Sequence, residues 1–222
     1  MSELIQAGSV SGKISSPEGS RSGDHGIRKD AERAKIGMWL FLMTELLLFA
    51  GLFLVYSVYR YLHNVDFHRA GLETHTLLGT LNTMVLLTSS LTMALSIAAL
   101  RTGKKRLSVS FLASTILLGF VFLVVKYFEW SSEILGGIYP GSPVLLNRSN
   151  GEILFFGLYY TMTGLHGLHV IAGLAVLCFM LVLILRDKIT MDDYVKLENA
   201  GLYWHLVDIV WIFLFPLFYL IN

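Results

Sequence analysis

The stretch Glu198-Asn-Ala-Gly-Leu-Tyr-Trp-His-Leu-Val-Asp-Ile-Val-Trp211, continuing Ile212-Phe-Leu-Phe-Pro-Leu-Phe-Tyr-Leu-Ile221, decides the fold class. At about 1.5 Å rise per residue it is long enough to cross one hydrocarbon layer as a helix, so it is a transmembrane candidate. It also carries Glu198, His205 and Asp208. At roughly 100° per residue, Glu198, Gly201, His205 and Asp208 fall within an arc of about 80°, while Trp204 and Trp211 point elsewhere. A charge facing hydrocarbon at the helix centre costs about 2.5 kcal/mol or more, so this stripe should look at other helices that supply partners.

The whole chain has the composition of its last segment. Of 222 residues, 55% are apolar and 15% charged, with a mean hydropathy of +0.63, and the apolar residues come in long runs. That is an all-α integral membrane protein. The formal net charge of +1 is spread over the loops, which excludes the strongly basic body that nucleic-acid binding needs. The single cysteine, Cys178, lies inside an apolar run, leaving no intrachain disulfide and no paired-thiolate metal site; it reads as a packing residue.

Working back towards the amino terminus, four further apolar stretches are long enough to cross, giving spans at about 36–61, 76–100, 107–129, 153–185 and 201–221. Residues 1–32 are rich in Ser, Gly and charges, contain Pro17 and have no apolar core, so they read as a disordered arm ahead of a five-helix domain over 33–222. The arm lacks the layout of a signal peptide. Its end carries Arg28, Lys29, Arg33 and Lys35, and the connection Arg101-Thr-Gly-Lys-Lys-Arg106 is also densely basic. Both fit the positive-inside tendency only if the amino terminus is inside, which places Asn222 outside. A grip on anionic lipid is the other role open to the basic cluster, with topology the simpler one. The connection 136–151, with Gly136-Gly137, Pro140-Gly141 and Pro143, reads as a turn-rich cap.

Each span carries its own polar residues. Glu45 lies about 15 Å into the first, near the midplane. In the second, Thr76, Gly79, Thr80, Thr83, Ser90 and Ala94 line up as a close helix-packing face. In the third, Lys126 and Glu129 are i, i+3 neighbours near the outer boundary, where they can pair or snorkel. In the fourth, Tyr159, Thr163, His166, His169 and Gly173 share a face, which stacks two imidazoles about one turn apart.

Several chemistries compete for these residues. A metal or heme site on His166 and His169 needs a third ligand, from His205, Glu45, Asp208 or Glu129. The paired Glu-x-x-His motifs of di-metal bundles and the HxxxH clusters of membrane desaturases are absent. Nothing like GxSxG occurs, which argues against a hydrolase. An ion-coupled carrier would use the intramembrane acids, but five spans without internal repetition argue against it. What remains is a non-catalytic membrane subunit whose buried ionisable groups link its helices or tune protonation at a partner's surface.

Thr163-Gly-Leu-His-Gly-Leu-His-Val170 followed by Glu198 to Trp211 resembles the signature pair of subunit III of the heme-copper oxygen reductases. Phe41-Leu-Met-Thr-Glu45, followed by Leu46 to Gly51, resembles the helix holding that family's buried, carbodiimide-reactive glutamate. Asn82-Thr83 and Lys126-Tyr-Phe-Glu129 sit at comparable polar positions. The likeness runs from about Arg33 to the end, with several motifs in order. It implies a chain in the bacterial cytoplasmic (inner) membrane with no cofactor of its own, packed on the heme- and copper-bearing subunit I and alongside other oxidase subunits. It also implies that such a chain stabilises subunit I and helps sustain proton uptake. For Glu45 it implies the buried carboxyl, and for Asn82, Glu129, His166, His169, Glu198, His205 and Asp208 interhelical polar contacts and no metal ligation. The chain is similar to the shorter bacterial form, which lacks the first two of seven helices; the lipid cleft those helices wall goes with them, while annular phospholipid can still bind. The short form accompanies cytochrome c oxidases and quinol oxidases, and a relative accompanies nitric oxide reductase; these residues do not separate the three.

Overall fold

The computed structural model describes residues 18–74, 76–189 and 194–220, with side chains from residue 33 onward. Seven helices follow in order: α1 (Glu18–Leu62), α2 (Asn64–Leu72), α3 (Thr76–Arg101), α4 (Lys105–Leu135), α5 (Pro143–Leu146), α6 (Asn150–Leu185) and α7 (Val195–Phe215), the last running into a π-helical turn, Pro216–Leu220. There is no strand among the described residues. Five helices, α1, α3, α4, α6 and α7 with its π-turn, are long and apolar enough to cross a membrane. The first helix begins at Glu18, within the segment 1–32 read as an arm; residues 1–17 of that arm lie outside the described residues, as do Asp192 and Asp193. The connection after the first span is largely the short helix α2.

The ends of the helices are fixed by local chemistry. At the α3–α4 link, Gly103 takes φ +74°, and the N–H groups of Gly103 and Lys104 return to the carbonyls of Leu100 and Ala99 at 3.0 and 2.9 Å. This closes α3 with the left-handed residue such caps favour. Ser142 caps α5, accepting from the Leu145 N–H at 3.0 Å with Pro143 in the first turn. Ser149 caps α6, accepting from Glu152 N–H at 3.3 Å, in a Ser-x-x-Glu start. The turn-rich cap over 136–151 is therefore one short helix held between two serine caps.

Four helices, α3, α4, α6 and α7, form the bundle, and α1 lies outside it against α6 and α7, the least enclosed of the five. The pair α3 and α4 is joined by hydroxyls, Thr92 to Thr115 at 2.8 Å and Ser96 to Ser108 at 3.2 Å. Small hydroxyl residues let two helices approach and bond without a large side chain between them. At the centre Trp204 is fully buried and fits between α4 and α6 where both lack a side chain. A Cβ on Gly119 would stand 2.8 Å from the indole and one on Gly173 2.9 Å. Trp204 and Trp211 each donate an indole N–H to α3, to Ser89 and Thr83, at 3.1 Å. No water is at hand in a bilayer to satisfy these groups, so a hydroxyl on the neighbour does it.

The carboxyl end of α7 shows the same rule on the backbone. The last carbonyls of a helix lack intrahelical partners, and Pro216 adds a missing N–H. The Tyr56 hydroxyl from α1 donates to the Leu217 carbonyl at 2.7 Å, Thr74 to Phe218 at 3.1 Å and Thr76 to Tyr219 at 3.4 Å. Outside the spans, Arg148 donates to both carboxylate oxygens of Glu73 at 2.7 and 2.9 Å, and that carboxylate holds its guanidinium above the ordinary arginine range.

Candidate functional site

Three polar groups lie within the bundle, each at a seam between helices. The first joins α1 to α6. Glu45 Oε2 and His169 Nε2 are hydrogen-bonded at 2.9 Å, while His169 Nδ1 stands 2.8 Å from the Leu165 carbonyl on its own helix. Phe49 packs edge-on to the imidazole, and the Tyr203 hydroxyl of α7 donates to the His169 carbonyl at 3.3 Å. An imidazole held on both nitrogens has one orientation, so the pair ties the outlying α1 to the bundle.

The second group lies between α4, α6 and the π-turn. Glu129, with no exposed surface, accepts from Lys126 at 3.1 Å, from Tyr159 at 2.7 Å and from Tyr219. Lys126 also bonds the Tyr159 and Tyr219 hydroxyls at 3.2 and 2.5 Å and stands 5.0–5.2 Å from the ring centres of Tyr159, Trp211 and Tyr219. The sequence leaves this lysine either to pair with Glu129 or to snorkel at the boundary, and it pairs. It is 7% exposed, because two tyrosines from distant parts of the chain supply the partners that water would have supplied.

The third group runs along the α3–α7 seam. Glu198 pairs with Lys35 of α1 at 2.9 Å and with Arg101 of α3, and Arg101 also covers the Tyr194 ring at 4.7 Å. Two turns further along, His205 Nδ1 meets the Ser90 hydroxyl at 2.7 Å. One turn beyond, Asp208 is 3% exposed.

The structure does not draw every expected residue into a polar contact. Asn82, His166 and Asp208 make no side-chain hydrogen bond to a described residue. Asn82 belongs to the tightly packed stripe Gly79, Asn82, Leu86, Ser89, Met93, Ser96 of α3. His166 is enclosed by rings, 5.5 Å from Phe122 and 5.2 Å from Trp211. The Ser90 hydroxyl that faces Asp208 is engaged by His205. The two imidazoles expected to act as one stack are divided: His169 turns to α1 and His166 to the bundle interior. Among the described residues no three His, Cys, Asp or Glu side chains come close enough to hold a metal ion. Tyr219, which gives Glu129 a donor, carries no pattern in the sequence that marks it.

Five apolar helices, bridged at their seams by hydrogen-bonded acids, imidazoles, hydroxyls and indoles, define a multi-pass helical membrane protein whose partnered polar groups are engaged in contacts between helices. The chain belongs to the cytochrome c oxidase subunit III family, whose family model matches residues 11–222. It is 32% identical to the cytochrome bo(3) ubiquinol oxidase subunit 3 of Pseudomonas aeruginosa, over 84% of each chain. It is 29% identical to the cytochrome c oxidase subunit 3 of Alkalihalophilus pseudofirmus, over 96% of this chain and 98% of the other. It is also 29% identical to a heme-copper oxidase subunit I+III of Aeropyrum pernix, over 86% of this chain and 23% of that longer one.

Proposed function

We propose that this chain is the non-catalytic subunit III of a respiratory heme-copper terminal oxidase in a bacterial cytoplasmic membrane, with its amino terminus inside. It packs on the oxidase subunit I, which carries heme and copper, steadies it, and supports its proton uptake. The family match across the chain carries this reading. Two further observations support it. A subunit III sequence occurs in one polypeptide with subunit I in the Aeropyrum pernix relative. Within the bundle, Glu45, Glu129, Glu198 and His205 are held by side chains of other helices, which suits a scaffold. We assign Glu45 and His169 the anchoring of α1, and Glu129 the joining of α4, α6 and the end of α7.

Relatives named for ubiquinol and for cytochrome c stand at similar identity, so either electron donor suits the complex. The test is purification through a tag on this chain in mild detergent, followed by a visible spectrum. Heme absorbance in the purified complex is the expected result. A chain that purifies alone and moves protons or solute in liposomes would replace this reading with a carrier.

A further inference from the structure

The α3–α7 seam holds an acid that the scaffold does not explain. Glu198, His205 and Asp208 follow one another on the same face of α7, and exposure falls along them, from 21% at the Glu198 side chain to 3% at Asp208. A groove of about 460 Å³ opens at the Arg101 and Glu198 end and reaches as far as His205 and Ala94. Its walls, Ala94, Ile97, Ala98 and Leu202, are small or apolar, so beyond Arg101 and Glu198 the titratable group lining it is His205. Beyond it Ser90 bonds His205 at 2.7 Å, and one turn further along α7 the buried Asp208 carboxyl has no hydrogen bond to a described residue on either oxygen. A helix contact would have been served as well by an asparagine or a serine, and an unpaired buried carboxyl is costly.

We propose that the α3–α7 seam is a proton-loading branch in which His205 and Ser90 pass protons from the groove to Asp208. A proton taken up at His205 Nε2 leaves Nδ1–H free to donate to Ser90 Oγ as the Ser90 O–H donates to an Asp208 oxygen. One proton thus moves from the groove to the carboxylate; the hydroxyl returns to its starting form, and the imidazole is left with its proton on Nε2, which a flip of the ring resets before the next transfer. The charged and titratable groups around the path are few. Arg101 of α3 and Lys35 of α1 flank Glu198 at the mouth. His166 of α6, Lys126 of α4 and Tyr219 of the π-turn lie around Trp211, one turn past Asp208. Asp208 therefore sits at the blind end of the branch, where its charge is exchanged only through the seam. The assignment deepens the proposed oxidase reading by giving the chain a protonatable site of its own.

The test is carboxyl hydrogen–deuterium exchange in the complex purified through this chain, read by time-resolved infrared spectroscopy, with Asp208→Asn identifying the band. In the natural complex the Asp208 band is present at neutral pH and shifts promptly in heavy water. Ser90→Ala slows that shift about a hundredfold, the size of a positioned acid–base group, and Ser90→Thr restores it. Ala94→Leu, which fills the groove and removes no polar group, slows it as well. A complex that keeps its heme but shows no Asp208-dependent band, or exchanges at the natural rate in Ser90→Ala and Ala94→Leu, overturns the relay and leaves the subunit assignment standing. Absence of heme overturns the assignment itself.

Discussion

Replacing Glu129 with leucine tests most sharply whether the buried charges hold the bundle together. The carboxylate has no exposed surface and receives Lys126 at 3.1 Å, Tyr159 at 2.7 Å and Tyr219. Its loss leaves the Lys126 ammonium buried with two phenol oxygens and three ring faces at 5.0–5.2 Å. Removing one member of a buried pair costs about 3–5 kcal/mol. Each ring face returns about 0.5–2 kcal/mol, but these contacts already exist, so they soften the loss only where the lysine can shift towards them. A net destabilisation of about 3 kcal/mol is expected. The double variant Glu129→Leu with Lys126→Met removes both charges, and the Tyr159 and Tyr219 hydroxyls, already 3.3 Å apart, can bond each other. It should return to within about 1 kcal/mol of the natural chain, since a buried pair replaced by apolar residues of similar size is often neutral. The assay is unfolding in mixed micelles of rising SDS fraction, followed by tryptophan fluorescence. A single variant costing less than about 1 kcal/mol, or a double variant no better than the single, refutes the reasoning.

Three more outcomes follow from the packing. Glu45→Gln keeps an acceptor for His169 and should leave the heme content of the complex unchanged, whereas His169→Leu strands the Glu45 carboxyl and should cost about 1–3 kcal/mol in the same unfolding assay. Gly119→Ala would place a Cβ 2.7 Å from Leu174 and 2.8 Å from Trp204 and should cost about 1–3 kcal/mol, while Gly51→Ala, with nothing within 4 Å, should be neutral or slightly stabilising. Tyr56→Phe deprives the Leu217 carbonyl of its donor at 2.7 Å and should cost about 1–3 kcal/mol, seen as faster hydrogen exchange at the end of α7; unchanged exchange there would show that the π-turn needs no cap from α1.

The residues that were legible in the sequence are those whose own helix sets their direction. Glu198, His205 and Asp208 line one face of α7 because residues three and seven apart on a helix must, and their burial increases along it. The partners were not legible, since Ser90 and Arg101 lie about a hundred residues away and nothing in spacing joins them to α7. The face of α3 marked in the sequence holds in part: Gly79, Thr83 and Ser90 meet α7 and its π-turn, but hydroxyls alone do not mark a buried face. Thr80, Thr83 and Thr88 each donate to the carbonyl four residues back, at 2.8–2.9 Å, so a hydroxyl on a helix satisfies itself and can face lipid as easily as a neighbour. The fully buried stripe of α3 runs beside that face and shares Gly79 with it, continuing through Asn82, Leu86, Ser89, Met93 and Ser96. The pairing of Lys126 with Glu129 was legible from their spacing, but its burial was not, because depth along a helix says nothing about who stands beside it. Tyr159 and Tyr219, which make its burial tolerable, are 33 and 93 residues further on. His166 and His169 share a face in the count of angles, yet the 60° or so between them is enough to send one to α1 and the other among the rings.

The account holds that the acids and imidazoles inside this chain bind helices and protons, and that the redox centres belong to its partner. The direct measurement is to dissociate the purified complex and assay heme, copper and iron in the separated chain and in the remainder. All three should stay with the remainder, and the separated chain should show no visible absorbance and no oxygen reduction. Heme or metal at one equivalent on the separated chain would contradict it.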